Sequence, residues 1–345
     1  MTRYFFSSVT RIAPLPDLPF TVEPLPRELW DTGDYVVGEV NRRPSPLGRV
    51  EVRSGRTIEV MEGHMMVGAF AKRYATLEAV GDWRDIGEDL QMENLGGGGV
   101  FGKMTSISPF LPTLISLTYK GHILIHGEKC RMKDYVPDIA PRPFLLPVIM
   151  VIGTSMSVGK TTAARVIIRQ LKEMSLKVVG AKLTGSGRYR DILSMRDAGA
   201  DYVFDFVDVG LPTTVCPPQN YQAALEKLLA QISAVGVDVA VIEVGASPLE
   251  PYNGDIAVEK ISPNIRWMVL CASDPYSVIG LMNAYGRTPD MIAGVTTNTE
   301  AGIKLVSKLT GIKALNLLDR ESLWELREIL RTSLDLRAEN EHHNI

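Results

Sequence analysis

Cysteine is scarce in this chain of 345 residues, and its three copies, Cys130, Cys216 and Cys271, lie far apart. No pair has the spacing of a zinc site, and an odd scattered set builds no disulfide framework. That usage points to a reducing compartment, with each thiol serving as a small buried hydrophobe. Histidine is nearly as sparse. His64, His122, His126, His342 and His343 form no ligand pattern, and none lies between Gly127 and Glu341. His122 and His126 fall in a stretch that reads as strand, where they share a face but sit far apart. A Ser-His-Asp or Cys-His arrangement is therefore excluded across the whole second half. Any general acid or base there must be a carboxylate, a lysine, a tyrosine or the substrate's own amine.

Excess charge of one sign is also missing. Thirty-seven Lys and Arg stand against 40 Asp and Glu, a formal net charge of −3. The basic residues are scattered, and their densest short run is Arg188, Arg190 and Arg196. This excludes the electrostatic footprint of a nucleic-acid binder. No run of about 18 apolar residues exists, so no transmembrane helix and no membrane partner are expected. The start, Met1-Thr-Arg-Tyr-Phe-Phe, lacks the apolar core of a secretory signal. A cytoplasmic protein of about two domains is the expectation.

What is present changes character near residue 140. Before it the segments are short, β-rich and broken by turn residues. Asp34 to Val40 reads as a strand, and Arg49–Arg53 with Thr57–Val60 as a hairpin about Ser54-Gly55. Leu114–Tyr119 and His122–His126 read as a second hairpin about Lys120-Gly121. Four successive glycines, Gly96 to Gly99, lie between them. Residues of about 30 to 135 form a small β-rich, barrel-like unit in this reading. The proline-rich stretch Asp138–Pro147 is a linker. From Val148 onward apolar strands alternate with amphipathic helices, the mark of a parallel sheet covered on both faces. Strands are expected near 148–152, 178–181, 201–206, 237–243, 266–271, 291–295 and 312–317. Helices are expected over 163–174 and 221–234. The predicted fold class is thus α/β: a P-loop sheet over 141–345, preceded by a smaller β-rich domain over 1–140. The polar tail, Arg337 to Ile345, is expected to fray.

The strand at Val148 runs into Gly153-Thr154-Ser155-Met156-Ser157-Val158-Gly159-Lys160-Thr161-Thr162 and then into a helix. Strand, glycine-bounded loop, Lys-Thr and helix together are the context that defines a phosphate-binding loop. Loop amides and the helix N-terminus aim at an anion, and the helix dipole favours negative charge there. Gly159 allows close backbone approach. Lys160 supplies a cation to the β- and γ-phosphates, and Thr161 a hydroxyl to Mg²⁺. Five residues separate Gly153 from Gly159, and Thr154 holds the usual first-glycine position.

That variant spacing resembles the loop of dethiobiotin synthetase and its P-loop relatives. Ala181-Lys182-Leu183-Thr184-Gly185 is similar to their Lys-Pro-x-x-Thr-Gly-like segment, with Leu183 in place of the proline. Val241-Ile-Glu243-Val-Gly-Ala246 is similar to their strand-end segment that serves Mg²⁺ and phosphate. Gly294-Val-Thr-Thr-Asn298 stands where an asparagine meets the nucleotide base. Ala200–Phe206, Glu243–Gly254 and Val269–Pro275 more closely resemble the P-loop family that includes D-glutamate N-acetyltransferase. The resemblance covers about 148–320 and stops short of the β-rich part. It implies either ATP with Mg²⁺ or, on the same loop, acetyl-CoA.

Other residues join these as candidates. Glu243 closes an apolar strand, where open α/β sheets bind ligands, and suits Mg²⁺ or water. Lys182 could stabilise charge on a transferred phosphoryl group or be a surface lysine. Thr184 and Gly185 open a small-residue stretch able to approach a ligand. Arg188 and Arg190 suit an acidic substrate, and Asp191 suits Mg²⁺ through water or a helix cap. Asp205 and Asp208 flank Phe206-Val207 beyond the third strand, where one could face the site. Glu250, Tyr252 and Asn253 form a turn placed to touch substrate, although a turn without a role would look the same. Asn298 could read a base edge or cap the helix beyond it. The expected protein is a Mg²⁺- and ATP-dependent enzyme, a homo-oligomer, activating a carboxylate or carbamate by phosphoryl transfer. Acyl transfer from acetyl-CoA and a nucleotide-dependent switch are the alternatives. A switch usually carries a second lysine early in the loop, where Ser155 and Met156 stand here.

Overall fold

Alternation of apolar residues builds the first sheet, a barrel closed by one parallel pairing. The computed structural model describes residues 3–41 and 48–335. The polar tail from Arg337, with His342 and His343, lies outside them. In the sheet Met65–Phe70 pairs with Tyr35–Val40, which pairs with Ile115–Ile125. Gln91–Gly96 and Val100–Ile107 follow, and Val100 and Phe101 return in parallel to Ala69 and Phe70. Tyr4–Phe6 and Thr21–Glu23 join the edges, so the β-rich part begins well before residue 30. One face gathers Val36, Met66, Phe70, Phe101 and Leu117 around Trp30 and Trp83. The other gathers Tyr35, Val37, Val67, Ala69 and Val100.

The hairpin at Arg49–Glu51 and Thr57–Glu59 forms as the alternation predicts. The hairpin expected about Lys120-Gly121 does not. Ile115–Ile125 is one continuous strand, and its register against Tyr35–Val40 slips by one residue between Tyr119 and Gly121. Gly121 adopts φ +153°, and a Cβ there would meet Glu23 backbone at 2.6 Å. The glycine thus marks a bulge where another strand passes closely, not a reversal.

The second sheet holds seven parallel strands. Their order is Tyr202–Asp205, Val178–Thr184, Val239–Val244, Val148–Gly153, Ile265–Cys271, Met291–Ala293 and Lys313–Ala314. Both faces are apolar and buried, under helices that include Lys160–Glu173 on one side and Pro218–Ala234 on the other. This is the α/β P-loop fold with a preceding β-rich part. Among the described residues no helix is long and apolar enough to cross a membrane.

The two parts share a core, because Phe206 and Val207 pack with Val9, Val37 and Val67. They also share charge. Arg11 Nη2 donates to Asp205 Oδ1 at 2.6 Å and to Asp208 Oδ1 at 2.8 Å, and its guanidinium lies over the Tyr189 ring. Asp205 and Asp208 therefore serve the seam through Arg11. Burial pushes the Asp208 carboxyl up to about 6, against Arg11 and with help from Asp205.

An acid with a raised folded-state pKa holds its proton longer when folded. Its favourable contribution is present below its ordinary value of 3.8 and is lost as pH rises through about 6. Removing Arg11 takes away the salt-bridge partner that both carboxylates share. Arg11→Met is expected to lower stability by about 3–5 kcal/mol at pH 8. The loss should be clearly smaller at pH 5 in urea unfolding. Equal losses at the two pH values would contradict this account of the seam.

Candidate functional site

The phosphate loop leaves the central strand at Gly153 and enters the helix at Lys160. Gly153 has little room for a side chain, since a Cβ there would sit 2.8 Å from Lys160 Cδ. Gly159 takes φ +100°, the left-handed turn that aims the following amides along the helix axis. Thr154 N donates to Cys271 O at 3.0 Å, and Val295 N donates to Val158 O at 3.2 Å, so neighbouring strand ends brace the loop. Lys160 lies across it, with Nζ donating to Ser155 O at 2.6 Å. Burial pulls the Lys160 pKa down, with Glu243 opposing.

Charges alternate along one row across the sheet. Register places Asp205 beside Lys182 and Lys182 beside Glu243. Arg11 meets the outer end of this row at Asp205, and Lys160 lies beyond its inner end. Thr161 Oγ1 donates to Glu243 Oε2 at 2.9 Å. Lys182 Nζ pairs with Asp191. Burial would lower the Lys182 pKa, but Asp191 and Glu243 outweigh it and hold the ammonium charged. Burial likewise works against Asp191, yet Lys182, Arg188 and Arg190 hold its carboxyl below the ordinary range.

These groups line a cleft of about 340 Å³. Met156, Ser157, Gly159, Lys160, Thr161 and Thr162 form one wall. Lys182, Gly185, Arg188, Arg190 and Asp191 form the next, with Glu243 at the base. Thr184 lies just behind, fully buried, its hydroxyl donating to Gly245 O. The third wall was not legible in the sequence. Arg73, Glu78, Gly96 and Gly97 reach it from the β-rich part. The run of four glycines was the available signal. A Cβ on Gly98 would fall 2.0 Å from Gly187 O, and one on Gly99 would fall 1.8 Å from Ser7 Oγ. At Gly98 only bare backbone permits this docking of the barrel against the site; the Gly99 contact lies within the barrel.

Asp191 does not cap its own helix. Glu51, from the β-rich hairpin, accepts from Tyr189 N at 2.7 Å and from Arg190 N at 3.0 Å, capping Tyr189–Asp197 across the seam. Asp191 is free to meet Lys182. Glu250, Tyr252 and Asn253 stand outside the lining of the cleft. The Tyr252 hydroxyl accepts from Tyr74 N at 3.3 Å, and Glu250 accepts from Thr76. Asn253 Nδ2 donates to Thr214 O at 2.7 Å and Cys216 O at 3.1 Å. Their contacts hold the Arg73 hairpin and the turn itself, an arrangement that a polar turn cannot announce in sequence. Asn298 is exposed beside the loop's neighbour strand, and Thr299, not Asn298, caps the next helix.

The donor set suits Mg²⁺. A hydroxyl and a carboxylate, both oxygen, meet at the loop end. Among the described residues no cluster of three or more His, Cys, Asp or Glu is placed to hold a metal alone. An ion bound by one or two protein oxygens plus phosphates fits that arrangement.

No protein-family model matches the chain, and no curated protein matches it. Among solved structures, the signal recognition particle receptor FtsY from Elizabethkingia anophelis shares 14% identity at TM-score 0.35. That match covers 53% of this chain and 61% of FtsY, so the chain spans about three fifths of that protein. HypB from Helicobacter pylori, in complex with nickel, shares 15% identity at TM-score 0.37, over 58% of this chain and 92% of HypB. A duf1611 family protein from Anabaena variabilis shares 13% at TM-score 0.37, over 59% and 61%. Likeness at this level carries no functional argument. The class follows from the chain's own sheet and loop: it is a P-loop protein of the NTPase fold.

Because Glu51 satisfies two helix amides from a buried position, Glu51→Ala should cost about 1–2 kcal/mol, the scale of a lost N-cap. Glu51→Gln, which keeps an acceptor, should cost less. An unchanged urea midpoint for Glu51→Ala would show that the cap does not hold the helix.

Proposed function

We propose that this chain is a Mg²⁺- and ATP-dependent enzyme that transfers a phosphoryl group to the carboxylate or carbamate of a small acidic substrate. The convergence of Lys160, Thr161, Lys182 and Glu243 at the N-terminus of one helix carries this reading. The loop amides and Lys160 would bind the triphosphate. Thr161 and Glu243 would hold Mg²⁺, which would offset the charge of the phosphates when bound. Lys182, oriented by Asp191, stands where charge develops on the moving phosphoryl group. Arg188 and Arg190 would orient the acceptor. Positioning and charge stabilisation carry most of such a reaction, and this suits a cleft without histidine. The products would be ADP and a mixed anhydride.

Thermal unfolding with ATP–Mg²⁺ tests the binding. At about 100 times the dissociation constant the ligand adds about 2.7 kcal/mol. Lys160→Ala should abolish the shift, and Glu243→Gln should remove its dependence on Mg²⁺. Hydroxylamine trapping of an activated acid, with ATP–Mg²⁺ and a panel of carboxylic acids, tests the chemistry. A shift with acetyl-CoA alone would favour acyl transfer instead. A Lys160→Ala protein that responds like wild type would refute nucleotide binding at this loop.

A further inference from the structure

Between the barrel and the phosphate loop, Arg73, Gly96, Gly97, Ser186 and Arg188 line one stretch of the cleft. Arg73 is 8% exposed. Its Nη1 donates to Leu95 O and its Nη2 to the Glu78 carboxylate. Its Nε–H is buried with no partner among the described residues. Ser186 Oγ is buried without a partner in the same way. These two atoms flank one glycine. A Cβ built on Gly96 would lie 3.9 Å from Arg73 Nε and 3.6 Å from Ser186 Oγ. A Cβ built on Gly97 would lie 3.9 Å from Arg188 Nε and Cζ. The bare Gly96–Gly97 backbone is therefore the floor between Arg73, Ser186 and Arg188.

A buried donor without an acceptor keeps the full penalty of its desolvation. Two of them at the cleft wall call for an acceptor that arrives with a ligand. The charge balance narrows its chemistry. Arg73, Arg188, Arg190 and Lys182 stand against Glu78 and Asp191 on this side of the cleft, an excess of positive charge that an anionic group would offset. A planar carboxylate offers two oxygens that accept in-plane hydrogen bonds from guanidinium N–H groups.

We propose that this seam seats a carboxylate of the acidic small-molecule substrate, held by Arg73 Nε, Ser186 Oγ and the Arg188 guanidinium over Gly96 and Gly97. The identification of the ligand as substrate rests on the phosphoryl-transfer reading; the seat itself does not. Two ends of the substrate are thereby distinguished: one carboxylate anchored at the seam, the reacting group directed toward Lys182 and the loop. The β-rich part then supplies substrate recognition, and the P-loop part supplies the phosphoryl donor.

Gly96→Ala is the sharpest probe. The position has no left-handed φ, and its new methyl would make only ordinary contacts, so the protein should fold while the floor is blocked. Malonate, succinate and glutarate would be titrated calorimetrically into wild type, Gly96→Ala and Arg73→Gln, each with and without ADP–Mg²⁺. Saturable binding of at least one dicarboxylate to wild type, weakened at least tenfold in both variants, is the expected result. ADP–Mg²⁺ affinity should stay within about twofold in Gly96→Ala. Dicarboxylate binding that Gly96→Ala leaves unchanged would overturn the proposal. So would its absence from wild type, or inorganic phosphate binding there in its place. A wild type that ignores ADP–Mg²⁺ yet binds dicarboxylate through Gly96 would instead refute the phosphoryl-transfer reading and leave the seat standing.

Discussion

A row of alternating charges buried across the sheet organises this molecule. Arg11, Asp205, Lys182, Glu243 and Lys160 follow one another from the seam to the phosphate loop. Each of the five is nearly excluded from water. At an effective dielectric near 20, two unit charges 4 Å apart interact by about 4 kcal/mol. That attraction offsets desolvation only when every member has a neighbour of opposite sign. The row therefore ties the barrel, the third strand, the second strand and the loop to one mutual arrangement. Polar strand ends belong at the carboxyl edge of a parallel sheet, and this row occupies that edge.

Dependence on the seam explains several local features together. Glu51 caps a helix that belongs to the other part, which frees Asp191 for Lys182. Glu250 and Tyr252 hold the hairpin that carries Arg73. Glycines at 98 and 187 let two backbones touch. Each contact shapes the cleft without lying at its centre. A loosened seam would therefore alter the site even with every loop residue intact.

Periodicity made the parallel sheet legible, because strands covered on both faces are continuous apolar runs and Val148–Ile152 or Val239–Val244 can be little else. The loop from Gly153 to Thr162 was legible because its chemistry is local: successive backbone amides and a helix start require glycine, lysine and threonine at fixed offsets. Lys120-Gly121 misled for the same reason that turns can be predicted at all. A glycine that permits a reversal also permits close passage of another strand, and sequence does not say which. Tyr252 and Asn253 had the composition of a binding turn, but they spend their polar atoms on the backbone around them. Arg73 gave no signal, since its relation to the loop spans about eighty residues and depends on how two sheets meet.

The sequence by itself determined the parallel sheet, the phosphate loop and the set of strand-end residues around it, because each follows from contacts between residues close in the chain or from one repeating pattern. Tertiary structure alone decided what stands opposite the loop. It turned Asp205 and Asp208 toward Arg11, gave Asp191 to Lys182, and brought Arg73, Gly96 and Gly97 to the cleft. Those outcomes depend on buried charges finding partners and on backbones approaching where side chains are absent. Both are settled only when distant segments pack.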